Sequence, residues 1–112
     1  MIVYHNPKCS KSRECLLQLE QMPHQFEVIK YLETPLNIDQ LKELIQKLNI
    51  KPIELVRQKE SIWIEKYKDK KMTSLAIIKA MVKHPILIER PIVVNGNKAI
   101  IARPWERIHE II

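Results

Sequence analysis

The sequence predicts one α/β domain, with a mixed four-stranded sheet and a helical insertion between a β-α-β half and a β-β-α half. Three observations carry this. Near the start, IVYH at 2–5 and HQFEVIKYL at 24–32 are apolar, strand-like runs on either side of a helical pattern. In the middle, TPLNIDQLKELIQKLN carries a clear helical repeat and a start signal. Toward the end, PIVVNGNKAIIA places two β-branched runs around Asn95-Gly96.

Taken in order, Ile2–His5 is a buried strand. Cys15, Leu16, Leu19 and Met22 then recur at helical spacing, which predicts a helix from about Ser10 to Gln21. Strand, helix and strand make a right-handed crossover joining two parallel strands. Asn37 suits an N-cap, with Gln40 at the capping-box position. Ile38, Leu41, Leu44, Ile45 and Leu48 form one stripe of the helix that follows. Pro52 opens a short helix through about Gln58, and Thr73 caps another that stops at Lys83, before Pro85. The Asn95-Gly96 pair favours a type I′ hairpin turn. Pro104 opens a last helix with Trp105, Ile108, Ile111 and Ile112 turned inward. This order is thioredoxin-like, with helices inserted at its centre, and residues 1–112 are expected to form a single domain.

Composition narrows the class. At 112 residues and 46% hydrophobic, the chain can bury a core without disulfides, and its two cysteines do not suggest a disulfide scaffold. No apolar run approaches the roughly 20 residues of a membrane span, and no leader pattern is seen. The expected compartment is the cytoplasm, where Cys9 is a free thiol. The net charge of +6 fits a solubilising surface, a small anionic substrate or a nucleic acid. Acidic residues interrupt the lysines, as in KYKDKK, and there is one Phe and no Gly-aromatic signature, so nucleic acid is not expected.

The chemistry centres on YHNPKCSKSR. Cys9 lies where the first strand gives way to a helix, whose unpaired N–H groups favour a thiolate. Cysteines so placed have pKa values of roughly 3.5 to 7.5. Arg13 is expected to add to this effect, as is His5 if protonated. Ser12 makes the motif C-x-x-S, so the usual resolving thiol is absent. Cys15 lies six residues along a helix, or about 9 Å, beyond the roughly 7 Å that a disulfide spans. Its position on the apolar stripe reads as core. A thiol from outside must therefore regenerate Cys9. Arg57, Arg90 and Arg103 occur in ELVRQKE, HPILIERPIVV and IIARPWE. Their planar forks suit a tetrahedral oxyanion near a helix mouth. His24, His84 and His109 show no metal-ligand spacing, and Cys9 with His5 is not a zinc pattern; no metal is assigned.

IVYHNPKCSKSR, ELVRQKE, HPILIERPIVVNG and AIIARPWE resemble the glutaredoxin-dependent arsenate reductases. With the helices between them, these stretches cover nearly the whole chain. The residues after Arg57 match the family less closely than the rest. The resemblance implies a thioredoxin-like fold in which Cys9 is the catalytic nucleophile and His5 helps to activate it. It makes Arg57, Arg90 and Arg103 the substrate-binding residues, with Asn6, Ser12, Arg13 and Pro91 in support. The Arg90-Pro91 bond is expected to be cis, facing the active Cys. The implied substrate is the arsenate oxyanion, with glutathione as co-substrate and glutaredoxin as partner protein. No metal or bound organic cofactor is implied, and the expected protein is a monomer that binds neither nucleic acid nor membrane. Two other readings stay open. One is a glutathione-dependent thiol reductase, whose members tend to lack the last Arg. The other is an Spx-type redox regulator that binds RNA polymerase, a group that often carries C-x-x-C and lacks the ARP after the hairpin.

Overall fold

The computed structural model describes residues 1–112, and the chain divides into two compact units. The first joins Met1–Thr34 to Arg90–Ile112, and the second is Pro35–Glu89. The first unit holds β1 (Ile2–His5), α1 (Ser10–Glu20), β2 (Glu27–Lys30), β3 (Ile92–Asn95) and β4 (Lys98–Ile101). They form one four-stranded sheet in the order β2-β1-β3-β4. β1 runs parallel to β2, and β3 is antiparallel to both β1 and β4. This is the mixed sheet that the sequence predicts.

Register explains where the core of this unit lies. Val3 pairs with Val93, and Val93 pairs with Ile100, so these side chains share one face of the pleat. α1 lays Cys15 and Leu19 on that face, and Ile108 comes in from the C-terminal 3₁₀ turns, Trp105–Glu110. Fully burying an aliphatic side chain stabilises a fold by roughly 1.5–3 kcal/mol, so this layer clamps α1 to the strand that precedes it. The last helix is a 3₁₀ helix, which corrects one expectation. With three residues per turn, Trp105, Ile108 and Ile111 align. Ile112 falls outside that row and is 43% exposed instead of turned inward.

The hairpin turn also differs from expectation. Asn95 and Lys98 are the closing pair, so the loop residues are Gly96 and Asn97. Gly96 has φ +62° and Asn97 is not in the positive region. Positive φ at the first loop position alone is the pattern of a type II′ turn, which wants Gly there; type I′ needs positive φ at both. The second strand is shorter than its apolar run, because only Glu27–Lys30 pair with β1.

The second unit is helical. α2 (Ile38–Leu48) begins with the predicted capping box: Asn37 Oδ1 accepts the Gln40 N–H at 2.8 Å, and Gln40 Oε1 accepts the Asn37 N–H at 2.9 Å. Its buried stripe is Leu41, Leu44, Ile45 and Leu48, and Asn49 ends it at φ 55°. A 3₁₀ turn at Pro52–Leu55 replaces the longer helix expected after Pro52. α3 (Ser61–Lys66) was not foreseen: six residues are too few to show a period, and only Trp63 is buried. α4 (Ser74–Lys83) starts where Thr73 Oγ1 accepts the Ala76 N–H at 3.1 Å. It packs on α2 through a face that includes Ile77, Ile78 and Met81. No helix is long and apolar enough to cross a membrane.

The turn assignment makes a prediction. Space around a Gly96 Cβ is open, so a substitution there meets only the backbone penalty. Gly96→Ala should cost about 1–2 kcal/mol, while Asn97→Ala should cost well under that, as measured by urea unfolding. A type I′ turn would make both substitutions costly.

Candidate active site

Strand register gathers the predicted residues of the sheet unit. Tyr4 of β1 lies opposite Ile92 of β3, so continuing two places sets Asn6 opposite Arg90. Ile92 lies opposite Ile101 of β4, so the same step sets Arg90 opposite Arg103. The Ala102 N–H donates to the Pro91 carbonyl at 2.9 Å, which carries the ladder one step past the strands. The loop after β1 and both Arg-Pro pairs therefore meet at one end of the sheet. Arg90-Pro91 is cis, as expected, and Arg103-Pro104 is cis as well, which was not foreseen. Arg90 is buried, and Arg103 Nη1 donates to its carbonyl at 3.4 Å.

The loop itself is a tight turn. Asn6 is buried; its carbonyl accepts the Cys9 N–H at 3.0 Å and its Oδ1 accepts the Lys8 N–H at 3.0 Å. This folds the chain around Pro7 and delivers Cys9, in an extended conformation, to the N-cap of α1. The Arg13 N–H then closes the first helical bond on the Cys9 carbonyl at 3.0 Å. No first-turn N–H makes a capping bond of ordinary geometry to the sulfur, yet those of Ser12 and Lys11 point at it. Partial burial pushes the Cys9 pKa up. The Ser12 N–H, the Arg90 side chain bonded to the sulfur, and the Lys11 N–H together outweigh that, and the thiol titrates below its ordinary value.

Ser12 plays a part that its place in C-x-x-S did not reveal. It lies on the inward stripe of α1 with Cys15 and Leu19, at i, i+3 and i+7, and is fully buried. Its Oγ accepts the Asn6 N–H at 3.1 Å and lies 2.7 Å from His5 Nδ1. His5 points to this side because strand alternation gives it the same face as Val3. Burial lowers its pKa, and the charges of Lys30 and Arg13 lower it further. Lys30 is its partner in the β1–β2 register, a neighbour that only strand pairing could reveal. These shifts favour the neutral ring, which adds no positive charge at Cys9. Arg13 also turns elsewhere: its Nη1 donates to the Pro7 carbonyl at 3.0 Å. The cation that acts on the sulfur is Arg90.

The remaining residues separate clearly. Cys15 is fully buried, and burial with the nearby Glu14 carboxylate pushes its pKa up to about 11. Arg57 belongs to the helical unit, where its N–H donates to the Leu87 carbonyl at 2.7 Å. Its Nε lies 3.1 Å from Glu60 Oε1, close enough for an ion pair but not aligned as a hydrogen bond. No three His, Cys, Asp or Glu side chains gather as a metal site.

Known proteins resemble this chain in sequence and fold. The ArsC family matches residues 4–111. The chain belongs to the ArsC family. It is 40% identical to the arsenate reductase of Haemophilus influenzae, covering all of this chain and 98% of that protein. It is 46% identical to the Escherichia coli protein YfgD, covering 98% and 94%. The solved structure of an arsenate reductase from Vibrio cholerae superimposes with a TM-score of 0.94 at 44% identity, covering 99% of this chain and 96% of that one. The fold of this ArsC-family chain is thus the thioredoxin-like one.

The site geometry predicts selective alkylation. The rate with iodoacetamide should follow a single thiol with a midpoint below about 8.5, and peptide mapping should find the label on Cys9 and not Cys15. Arg90→Met should move the midpoint upward. An unchanged midpoint would show that the guanidinium does not act on the sulfur.

Proposed function

We propose that this protein reduces arsenate to arsenite with Cys9 as its single working thiol, and with glutathione and glutaredoxin as external reductants. The observation that carries the reading is the Cys9 sulfur at the mouth of α1, bonded to the buried Arg90 side chain. Membership of a family with named arsenate reductases supports the substrate.

The chemistry balances as follows. The Cys9 thiolate attacks arsenic; a sulfur–arsenic bond forms, and an arsenic-bound hydroxyl takes up a proton and leaves as water. A glutathione thiol then displaces a second hydroxyl as water, its own proton completing that water. A glutaredoxin thiolate next attacks the glutathione sulfur. A disulfide forms between the two thiols, and the electron pair of the broken arsenic–sulfur bond stays on arsenic, which becomes As(III). Water displaces Cys9 as thiolate, and arsenite leaves.

Each chain residue has a physical role in this cycle. Arg90 stabilises the thiolate before attack and the oxyanion after it. Arg103, its opposite number across the hairpin, supplies the second fork. Arg57 enters the anion site through the family resemblance alone. His5, held neutral, keeps Ser12 and the loop in register without competing for the anion. The isolation of Cys15 in the core favours external regeneration over an internal disulfide.

The test is a coupled assay with arsenate, glutathione, glutaredoxin and its reductase. Cys9→Ser should abolish turnover, while Cys15→Ser should keep at least about a tenth of it, an allowance for a loss of packing. Arg90→Lys and Arg103→Lys keep charge but lose the fork. Losing a hydrogen bond to a charged group costs about 1.5–3 kcal/mol, so kcat/KM should fall roughly 10- to 150-fold. Near wild-type efficiency in both arginine variants would leave the thiol-reductase reading instead.

A further inference from the structure

A cavity of about 300 Å³ in the sheet unit is lined by His5, Pro7, Arg13, Leu16, Leu17 and Glu20. Its place on α1 is informative. Arg13, Leu16 and Glu20 stand four, seven and eleven residues after Cys9, which is the spacing of one helical stripe. Cys9 does not itself line the groove, which begins one helical turn from it, at Pro7 and Arg13, and runs along the helix to Glu20 for about 10 Å. It is a different stripe from the buried one of Ser12, Cys15 and Leu19. Its floor is apolar, with Pro7 and the half-buried Leu16, and Leu17 is 58% exposed. Its charges are of both signs. Arg13 is pinned near the Cys9 end by its bond to the Pro7 carbonyl, which leaves other guanidinium N–H groups to donate. Glu20 stands at the far end, exposed and in no ion pair.

An apolar floor with a cation at the Pro7 end and a carboxylate beyond it complements a small zwitterionic peptide. The volume is at the lower end of small-ligand pockets, large enough for a tripeptide and not for a protein segment of regular structure. We propose that this groove is the docking site of the reducing thiol, a glutathione-type peptide with its carboxylate on Arg13, its ammonium on Glu20 and its sulfur directed to Cys9. This rests on the external-thiol reading above. It adds where the thiol binds and which residues select a zwitterionic peptide over a simple alkyl thiol.

S-methylglutathione tests the site without chemistry, since its sulfur cannot react. Titrated into the full chain, it should shift the backbone amide signals of Arg13, Leu16, Leu17 and Glu20, and Arg13→Gln or Glu20→Gln should weaken the fitted affinity about five- to tenfold. Both side chains are exposed, so neither change threatens the fold. Shifts confined to another surface, no shifts at all, or affinity unaltered in both variants would overturn the proposal. Arsenate turnover in the coupled assay with glutathione, glutaredoxin and its reductase, measured in parallel, tests the functional reading separately. If the wild type turns over while the groove shows no binding, the site is wrong and the reading stands. If the groove binds S-methylglutathione and arsenate is not reduced, the reading fails and the docking site stands.

Discussion

One buried hydroxyl holds this site in shape. Ser12 Oγ takes the Asn6 N–H and meets the His5 ring, so it ties the end of β1 to the first turn of α1. Leaving a buried donor or acceptor unpaired costs about 1–3 kcal/mol, and here one oxygen serves a backbone amide and an imidazole together. Between the two tied points lie Asn6, Pro7, Lys8 and Cys9. Their path is fixed by the turn that Asn6 closes at both its carbonyl and its side chain. The sulfur is therefore placed by contacts that do not involve the sulfur. A C-x-x-S motif resembles a dithiol motif with one thiol lost, but its serine here is a structural joint.

The charge logic follows from the same joint. A neutral His5 can be packed in the core at little electrostatic cost, whereas an imidazolium there would face Lys30 and Arg13. Positive charge is instead delivered to the sulfur by Arg90. Arg90 can do this because antiparallel pairing of β1 with β3 brings it level with Asn6. The hairpin then sets Arg103 level with Arg90. Two guanidinium groups that are far apart in sequence are made neighbours by the pairing of one hairpin and one further strand. Cys15, on the same helix as the nucleophile, is removed from the chemistry by the opposite environment: full burial and a nearby carboxylate.

Much of this was legible in the chain. The capping box at Asn37, the cap at Thr73 and the apolar stripe of Cys15 and Leu19 rest on local physics, and local physics is written in order along a sequence. So was the helix-mouth position of Cys9. What was not legible depended on pairing or on small conformational differences. Lys30 as the neighbour of His5 needs the β1–β2 register. The hairpin turn moved one residue, from Asn95-Gly96 to Gly96-Asn97, because strand register and not dipeptide preference decides which residues close it. Ile112 was placed inside on the assumption of 3.6 residues per turn, and a 3₁₀ repeat excludes it. α3 escaped notice because one turn and a half shows no period. Ser12 is expected among the supporting residues, but its joint with His5 and Asn6 depends on the fold, although its i, i+3, i+7 relation to Cys15 and Leu19 marks it as inward-facing.

The central claim is that Cys9 works alone and is relieved by thiols from outside. The most direct measurement is native mass spectrometry of the wild-type chain after incubation with arsenate and glutathione, with glutaredoxin left out. The account predicts a species carrying arsenic and one glutathione per chain, mapped to Cys9, with Cys15 unmodified. A chain two hydrogens lighter, with a Cys9–Cys15 disulfide and no glutathione, would contradict it.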